Sequence, residues 1–333
     1  MKNCILLLLL LLTCVQGFAQ DVIFSQNFLV PETLNSSFTG AIRSTKTGSV
    51  FRSQWRNSAL KTSSNFAFID TWFEGYQSGL GLSFLNQKES GSSYTFNQVN
   101  LNFAMAFKIS DTWYFRPSIS AGFGSKNYGF QNLLLEDQIN LNSNIINTSS
   151  IDPSLLKSHK SFMDYSSSLL FNNEDSWVGL TVKHLNRPNI SLTANGSVPL
   201  DVFLSVHSKY YLPFLENKRT WLTSKSKVYF LTNYMQQGSF NRLDLGFQYV
   251  FDDKMSFGVT AATSPTKNAE DGSILSSIST FAGIRLEGFR FGYSYDLNTT
   301  KIVNSGGTHE FSISYDFEIN IRALDRYKCV PFF

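Results

Sequence analysis

The stretch Gly307-Thr308-His309-Glu310-Phe311-Ser312-Ile313-Ser314-Tyr315-Asp316-Phe317 alternates strictly from Glu310 onward. Phe311, Ile313, Tyr315 and Phe317 share one side, and Glu310, Ser312, Ser314 and Asp316 share the other. Successive side chains of a β-strand point to opposite faces, so the segment has an aromatic face and a polar one. That pattern fits a soluble sheet over a dry core. It equally fits an outer-membrane barrel, with the aromatic face in lipid and the polar face in a wet lumen. The rest of the chain decides.

Charged residues make up 16% of the 333 positions, against about 25% in an ordinary soluble domain. Phenylalanine and tyrosine are abundant, and a formal charge of +3 is too small to argue for a nucleic-acid partner. Positions 1–19 read as a signal peptide, with Lys2, an apolar run over 5–12 and small residues at Gly17 and Ala19. The run is too short to cross a hydrocarbon core of about 30 Å. Leu12-Thr13-Cys14 is a poor lipobox, so cleavage without lipidation is expected. No other segment is long and apolar enough for a transmembrane helix, and the remaining way across a membrane is a closed barrel. With Cys4 and Cys14 in the leader, Cys329 has no cysteine to pair with inside the mature chain. A fully hydrogen-bonded barrel does not need a disulfide.

Fourteen candidate strands lie near 47–56, 62–73, 78–87, 95–109, 112–126, 161–172, 176–186, 198–212, 220–232, 239–251, 254–264, 275–286, 288–298 and 308–318. Val99, Leu101, Phe103, Met105 and Phe107 interleave with Asn100, Asn102, Ala104, Ala106 and Lys108, and the stretches at 243–251 and 289–297 repeat the pattern. The second face is Asn, Ser, Gly and Gln rather than the Lys and Glu of a sandwich exterior. That favours a lumen. Connections sort by parity: even ones such as Ser110-Asp111, Asp252-Asp253 and Glu287-Gly288 are short, while odd ones such as 128–160 and 187–197 are longer. Short periplasmic turns and long external loops are the habit of outer-membrane barrels, and a sandwich has no reason to follow it. Trp72, Trp113 and Trp177 stand at strand ends, where interfacial aromatics belong. The expected fold is an all-β transmembrane antiparallel barrel of about fourteen strands. It is preceded by a signal peptide at 1–19 and a periplasmic or lumenal segment at 20–46. The barrel occupies 47–318, and a short periplasmic tail follows at 319–333.

Four blocks carry a family resemblance. The first is Phe24-Ser25-Gln26, then Asn35, Phe38-Thr39-Gly40 and Phe51-Arg52-Ser53-Gln54-Trp55. The second is Asp164-Tyr165-Ser166, Trp177-Val178-Gly179 and His184-Leu185-Asn186-Arg187-Pro188-Asn189. The third is the closing strand, and the fourth is the tail with Cys329 and Pro331. In order and spacing the chain resembles the PorP/SprF outer-membrane proteins of the type IX secretion system of Bacteroidota. It departs from them at Ser36, where a proline is usual, and near Ser166 and Ser168, where glycines are. The resemblance implies an outer-membrane accessory that binds a secreted adhesin or other cargo with a C-terminal secretion domain. It would support translocation or cell-surface attachment, as in gliding. Its other partners would be periplasmic or peptidoglycan-associated secretion components and outer-membrane lipid. The alternative from another class is a passive channel or transporter of similar size, and a third is a membrane-embedded hydrolase.

Motifs for chemistry are scarce. His159, His184, His207 and His309 show no metal-ligand spacing, and there is no Gly-x-Ser-x-Gly. No enzyme activity, metal or cofactor is expected. Three stretches are candidates for partner binding. Phe24, Ser25 and Gln26 precede the first strand and would meet the periplasmic machinery or seal the barrel floor. His184, Leu185, Pro188 and Asn189 end a strand at the outer rim. By parity His184 is expected on the lipid face with Val178, Leu180 and Val182, as a docking edge or simply a turn. Leu133, Leu134 and Leu135 lie in the long apolar loop, which would be an external patch or a lumenal plug. Phe311, Ile313, Tyr315 and Phe317 are expected to face lipid while their strand closes the ring against 47–56. Their alternating aromatics resemble the signal that barrel-assembly machinery reads.

Overall fold

A computed structural model of the chain describes residues 21–58, 61–129, 139–140, 145–146, 158–193, 196–213, 226–265, 275–299 and 306–317. The signal peptide, Leu133, Leu134, Leu135, the tail at 319–333 and Cys329 lie outside these residues.

The alternating segments become β1 (Lys46–Gln54), β2 (Thr62–Phe73), β3 (Ser78–Glu89) and β4 (Tyr94–Met105, continued by Phe107–Lys108). They continue as β5 (Tyr114–Asn127), β6 (His159–Asn172), β7 (Trp177–Lys183), β8 (Phe203–Tyr211) and β9 (Ser226–Gln237). The last five are β10 (Phe240–Phe251), β11 (Met255–Thr263), β12 (Leu275–Leu286), β13 (Phe289–Asn298) and β14 (Thr308–Asp316). Each pairs antiparallel with its neighbours in sequence. The ring closes between β1 and β14, with Lys46 opposite Asp316, Phe51 opposite Phe311 and Gln54 opposite Thr308. Closure leaves no strand edge, the condition for a sheet to live in lipid. A separate two-residue pairing joins Ile139–Asn140 to Ile145–Ile146.

Burial is inverted relative to a soluble protein. Phe51, Leu82, Val99, Leu101, Phe123, Phe247, Phe291, Phe311, Ile313 and Phe317 are exposed, whereas Lys46, Arg52, Asp70, Lys209 and Glu310 are buried. Aromatic pairs stitch the outer face across strands, with ring centroids 4.5 Å apart for Phe289 and Tyr315 and 4.9 Å for Tyr293 and Phe311. The even connections at 252–254 and 287–288 are tight. Asp252 and Asp253 both take positive φ (52° and 51°), as does Glu287 (54°) before Gly288, the geometry of two-residue hairpin turns.

Three strand limits differ from the sequence reading. β7 stops at Lys183 rather than near 186, because His184 (φ 61°) and Arg187 (φ 42°) leave the extended region. β8 begins at Phe203, after a lone bridge between Asn189 and Pro199. β9, described over Ser226–Gln237, runs on to Gln237 rather than ending near 232, and 220–225 lie outside the described residues. Its Asn233, Met235 and Gln237 are buried against the lumen, so the inward face of the strand continues beyond 232.

Candidate functional site

The lumen is not an open bore. Residues 21–45 run inside it, from the long-loop end at Asp21 to the short-turn end where β1 starts. This segment is irregular for local reasons. Pro31 opens a short 3-10 turn over Pro31–Thr33. Asn35 caps a second one, Ser36–Phe38, by accepting from the Ser37 amide at 2.7 Å. Phe24, Phe28, Leu29, Val30, Phe38, Ala41 and Ile42 are buried and pack on an inward apolar patch of the wall that includes Phe66, Phe68, Leu170, Trp177, Leu231 and Phe281.

Polar anchors hold the segment at successive depths. At the long-loop end the Asp21 amide donates to Gln237 (2.8 Å), and the Asp21 carboxylate lies 3.7 Å from Lys183. His184 donates from Nε2 to Asp21 (2.8 Å) and from Nδ1 to Asp164 (3.0 Å). Burial alone would lower the His184 pKa. The charge of Asp21 and the hydrogen bonds to Asp164 and Asp21 outweigh it and raise the imidazole to about 9. Burial likewise pushes Asp21 up, and the His184 charge and hydrogen bond, with Lys183, bring it well below the usual carboxylate range.

Deeper in, the Ser25 and Gln26 amides donate to the two oxygens of Glu310, at 2.8 and 2.9 Å. Ser25 Oγ donates to Asp296 (2.5 Å), and Ser312 donates to Gln26 Oε1 (2.6 Å). Arg52 ties these together, pairing with Glu310 and reaching Asp296 at 3.2 Å. Removing one partner of such a buried pair strands the other's charge and costs about 3–5 kcal/mol. Near the short-turn end Lys46 meets Glu32 at 2.6 Å. Asn35 Nδ2 donates to His207 Nε2 (2.9 Å), which places the His207 proton on Nδ1, facing Ser205 at 2.9 Å.

The floor follows. Arg116 donates to the carbonyls of Ser37 (3.1 Å) and Thr39 (2.9 Å), the Gly40 amide donates to Asp70 (2.8 Å), and Arg43 stacks over Trp72. Gly79 lies against it so closely that a Cβ there would sit 2.3 Å from the Thr39 carbonyl oxygen. Among the described residues a polar cavity of ≈ 100 Å³ remains on the other side, between the segment and β3–β7.

The sequence candidates divide accordingly. Phe24 joins the lumenal apolar cluster, and Ser25 and Gln26 bind Glu310. His184 is a correction: it is buried in the lumen, not lipid-facing, because its positive φ breaks the alternation that placed it outside. Leu185 is exposed, Pro188 is buried, and exposed Asn189 accepts from Ser191 (3.0 Å) and Val198 (2.9 Å), ordering its own loop. Phe311, Ile313 and Phe317 are exposed on the outer wall, with Tyr315 half-buried beside them. Arg52, Asp70, Arg116, His207 and Asp296 were not singled out as contacts. Their signal was available: charged side chains on the polar face of strands in a chain poor in charge need partners inside.

The blocks that carried the resemblance thus meet in space. Ser25 and Gln26, Arg52 and Glu310 form one cluster, and Asp164 and His184 form another. Comparison with solved structures finds other barrels. The Ralstonia pickettii toluene transporter TbuX is 11% identical, with 89% of this chain and 94% of that chain covered and a TM-score of 0.48. The P. putida toluene transporter TodX is 6% identical, with 86% and 94% covered and a TM-score of 0.48. Acinetobacter baumannii Omp33 is 7% identical, with 83% and 98% covered and a TM-score of 0.43. Comparison with curated proteins gives no match. The family described as type IX secretion system membrane protein PorP/SprF matches residues 16–315. With that match over nearly the whole closed fourteen-stranded wall, the chain is an outer-membrane protein that belongs to the PorP/SprF family of the type IX secretion system.

Proposed function

We propose that this protein is a sealed scaffold of type IX secretion that binds a secreted adhesin or other cargo and supports its translocation or attachment at the cell surface. The observation that carries this reading is the filled lumen. Residues 21–45 occupy the bore that a passive channel needs, and Arg52, Glu310 and Asp296 hold them there. A fourteen-strand ring is otherwise wide enough for water. The family supplies the secretion context. Exposed Leu185 and Asn189 at the long-loop rim are candidate cargo contacts, and the short-turn end faces the periplasmic components. The protein works by binding, with no catalytic step.

The test is deletion followed by a surface proteome, alongside currents from the purified barrel in planar bilayers. Loss of one adhesin with other exported proteins intact, and an electrically silent barrel, are the expected results. An unchanged surface proteome would remove the cargo role. A large steady current would favour the channel.

A further inference from the structure

Toward the long-loop end, the outward face of β2–β6 changes character row by row. One row of directly opposed residues is apolar: Ala67, Phe84, Val99, Phe123 and Met163, the last four exposed. Two positions further along each strand the row is Asn65, Asn86, Asn97, Ser125 and Ser161. Two positions beyond that it is Ser63, Lys88, Thr95, Asn127 and His159. Lys61 tops the same face, its carbonyl accepting from the Ser90 amide at 3.0 Å. All of these side chains point out of the barrel, since the alternate residues Ser64, Phe66, Gln98, Lys126 and Phe162 are buried inside it. From the apolar row to Lys88 is four residues, about 13 Å along the strands.

The polar rows are held in place. Asn86 Nδ2 donates to Asn97 Oδ1 (2.7 Å), and His159 Nε2 lies 2.8 Å from Ser161 Oγ. Side-chain amides joined in this way keep further donor and acceptor positions. Lys61 and Lys88 are exposed, and among the described residues neither has an ion-pair partner. No carboxylate stands in the three rows. Across the ring, the outward residues toward the same end are Gln236, Leu243, Thr263 and Leu297, all uncharged. The rim cation Arg187 is 3.5 Å from Asp201. Unpaired positive charge above a polar row and an apolar row is therefore a property of this sector of the wall. The order of the rows selects the occupant. A soluble anion would use the lysines and leave the apolar row idle, and a plain hydrocarbon tail would do the reverse. A glycerophospholipid reaches all three rows, but its ester linkages accept hydrogen bonds without donating any. Acyl chains, then amide and hydroxyl groups, then phosphate match the wall in sequence.

We propose that the outer face of β2–β6 binds one phosphorylated glycolipid of the outer leaflet, with amide-linked acyl chains. The chains lie on Phe84, Val99, Phe123 and Met163, the amides and hydroxyls meet the row of Asn86 and Asn97, and the phosphate meets Lys61 and Lys88. Basic side chains at this height attract anionic head groups. This goes beyond the secretion role and does not depend on the cargo reading.

The test uses the folded, full-length barrel in neutral detergent micelles, titrated with monophosphoryl lipid A, with bound lipid counted by native mass spectrometry. The same lipid stripped of its phosphate and phosphatidylglycerol are the comparators. Retention of one monophosphoryl lipid A, more tightly than either comparator, is the expected result. Lys61→Gln and Lys88→Gln should each weaken it about fivefold, and Lys88→Arg should retain it. Asn86→Leu should bring its affinity down toward that of phosphatidylglycerol. Lys254→Gln, an exposed cation at the short-turn end, should change nothing. These side chains are exposed or half-buried on the outer face, and heat-modifiable migration checks that each variant is folded. The proposal is overturned if either comparator binds as tightly, or if the Lys61→Gln/Lys88→Gln double variant binds like the native protein. It is also overturned if Lys254→Gln weakens binding as much as Lys88→Gln does.

Discussion

The two ends of the lumenal segment are held differently. At the short-turn end, residues 37–45 are bonded by Arg116, Asp70 and Thr71 and pressed against Gly79, with backbone meeting wall at van der Waals distance. At the long-loop end, the hold on Asp21 is Gln237, Lys183 and one histidine, and the Asp21 side chain is 19% exposed. The floor is a lock made of the Arg116 guanidinium and close packing. The top is a clasp that titrates. A sealed base with a releasable top places any motion of the segment on the side that faces outward.

The largest break in that contrast is Arg116→Ala. It removes two charge-assisted bonds to the floor carbonyls, at a cost of about 3–5 kcal/mol. A lowered denaturant midpoint and current steps in planar bilayers are expected, and an unchanged, silent barrel would show that the floor does not depend on this residue. Gly79→Val comes next. Its side chain would overlap the Thr39 carbonyl, and overpacking of this kind costs about 1–3 kcal/mol. Amides at 37–41 should exchange faster while those at 21–26 hold their protection.

Asp21→Asn acts at the other end, where a partly exposed ion pair is worth about 1 kcal/mol or less. Here exchange should quicken at 21–26 and spare 37–41. The last test is pH, which acts on the same pair. The His184 pKa is raised, so its contribution is fully present below the ordinary imidazole value near 6.5 and is lost as pH rises through about 9. The Asp21 pKa is depressed, so its contribution is present above the ordinary value of 3.8 and is lost only as pH falls through the depressed one. The clasp is therefore complete between about pH 4 and 6.5 and weakens toward 9. Protection at 21–26, corrected for intrinsic exchange, should fall over that upper range. It should do so in the native protein and not in Asp21→Asn; equal pH dependence in both would break the assignment to His184.

The wall was legible because period-2 alternation and the parity of connection lengths are both written locally. Phe311, Ile313 and Phe317 needed nothing more. A lumenal place for residues 20–46 was legible as one of two alternatives, but the contacts made there were not, for three reasons. In β2, Phe66 and Phe68 point inward while Ile69 points out. An apolar side chain reads the same whether it meets lipid or the segment inside, so such a strand gives no sign of its cargo. At His184 a single residue with φ 61° reverses the face, and no pattern of residue types announces one left-handed position for a non-glycine. Ser25 and Gln26 were recognised as a block, but their partner Glu310 is 284 or more positions away. Neither spacing nor composition carries information over that distance.

The bond between Ser25 and Glu310 also sets an order of events. The residues synthesised first cannot take their final place until the last strand exists, since Glu310 is on β14 and Arg52, on β1, meets it only when the ring has closed. Contacts this remote in sequence form slowly. The chain must therefore pass through a stage in which the wall is built and its apolar Phe24, Phe28 and Leu29 are still unhoused. Apolar surface left exposed in this way favours aggregation, so late sealing is a hazard of this topology.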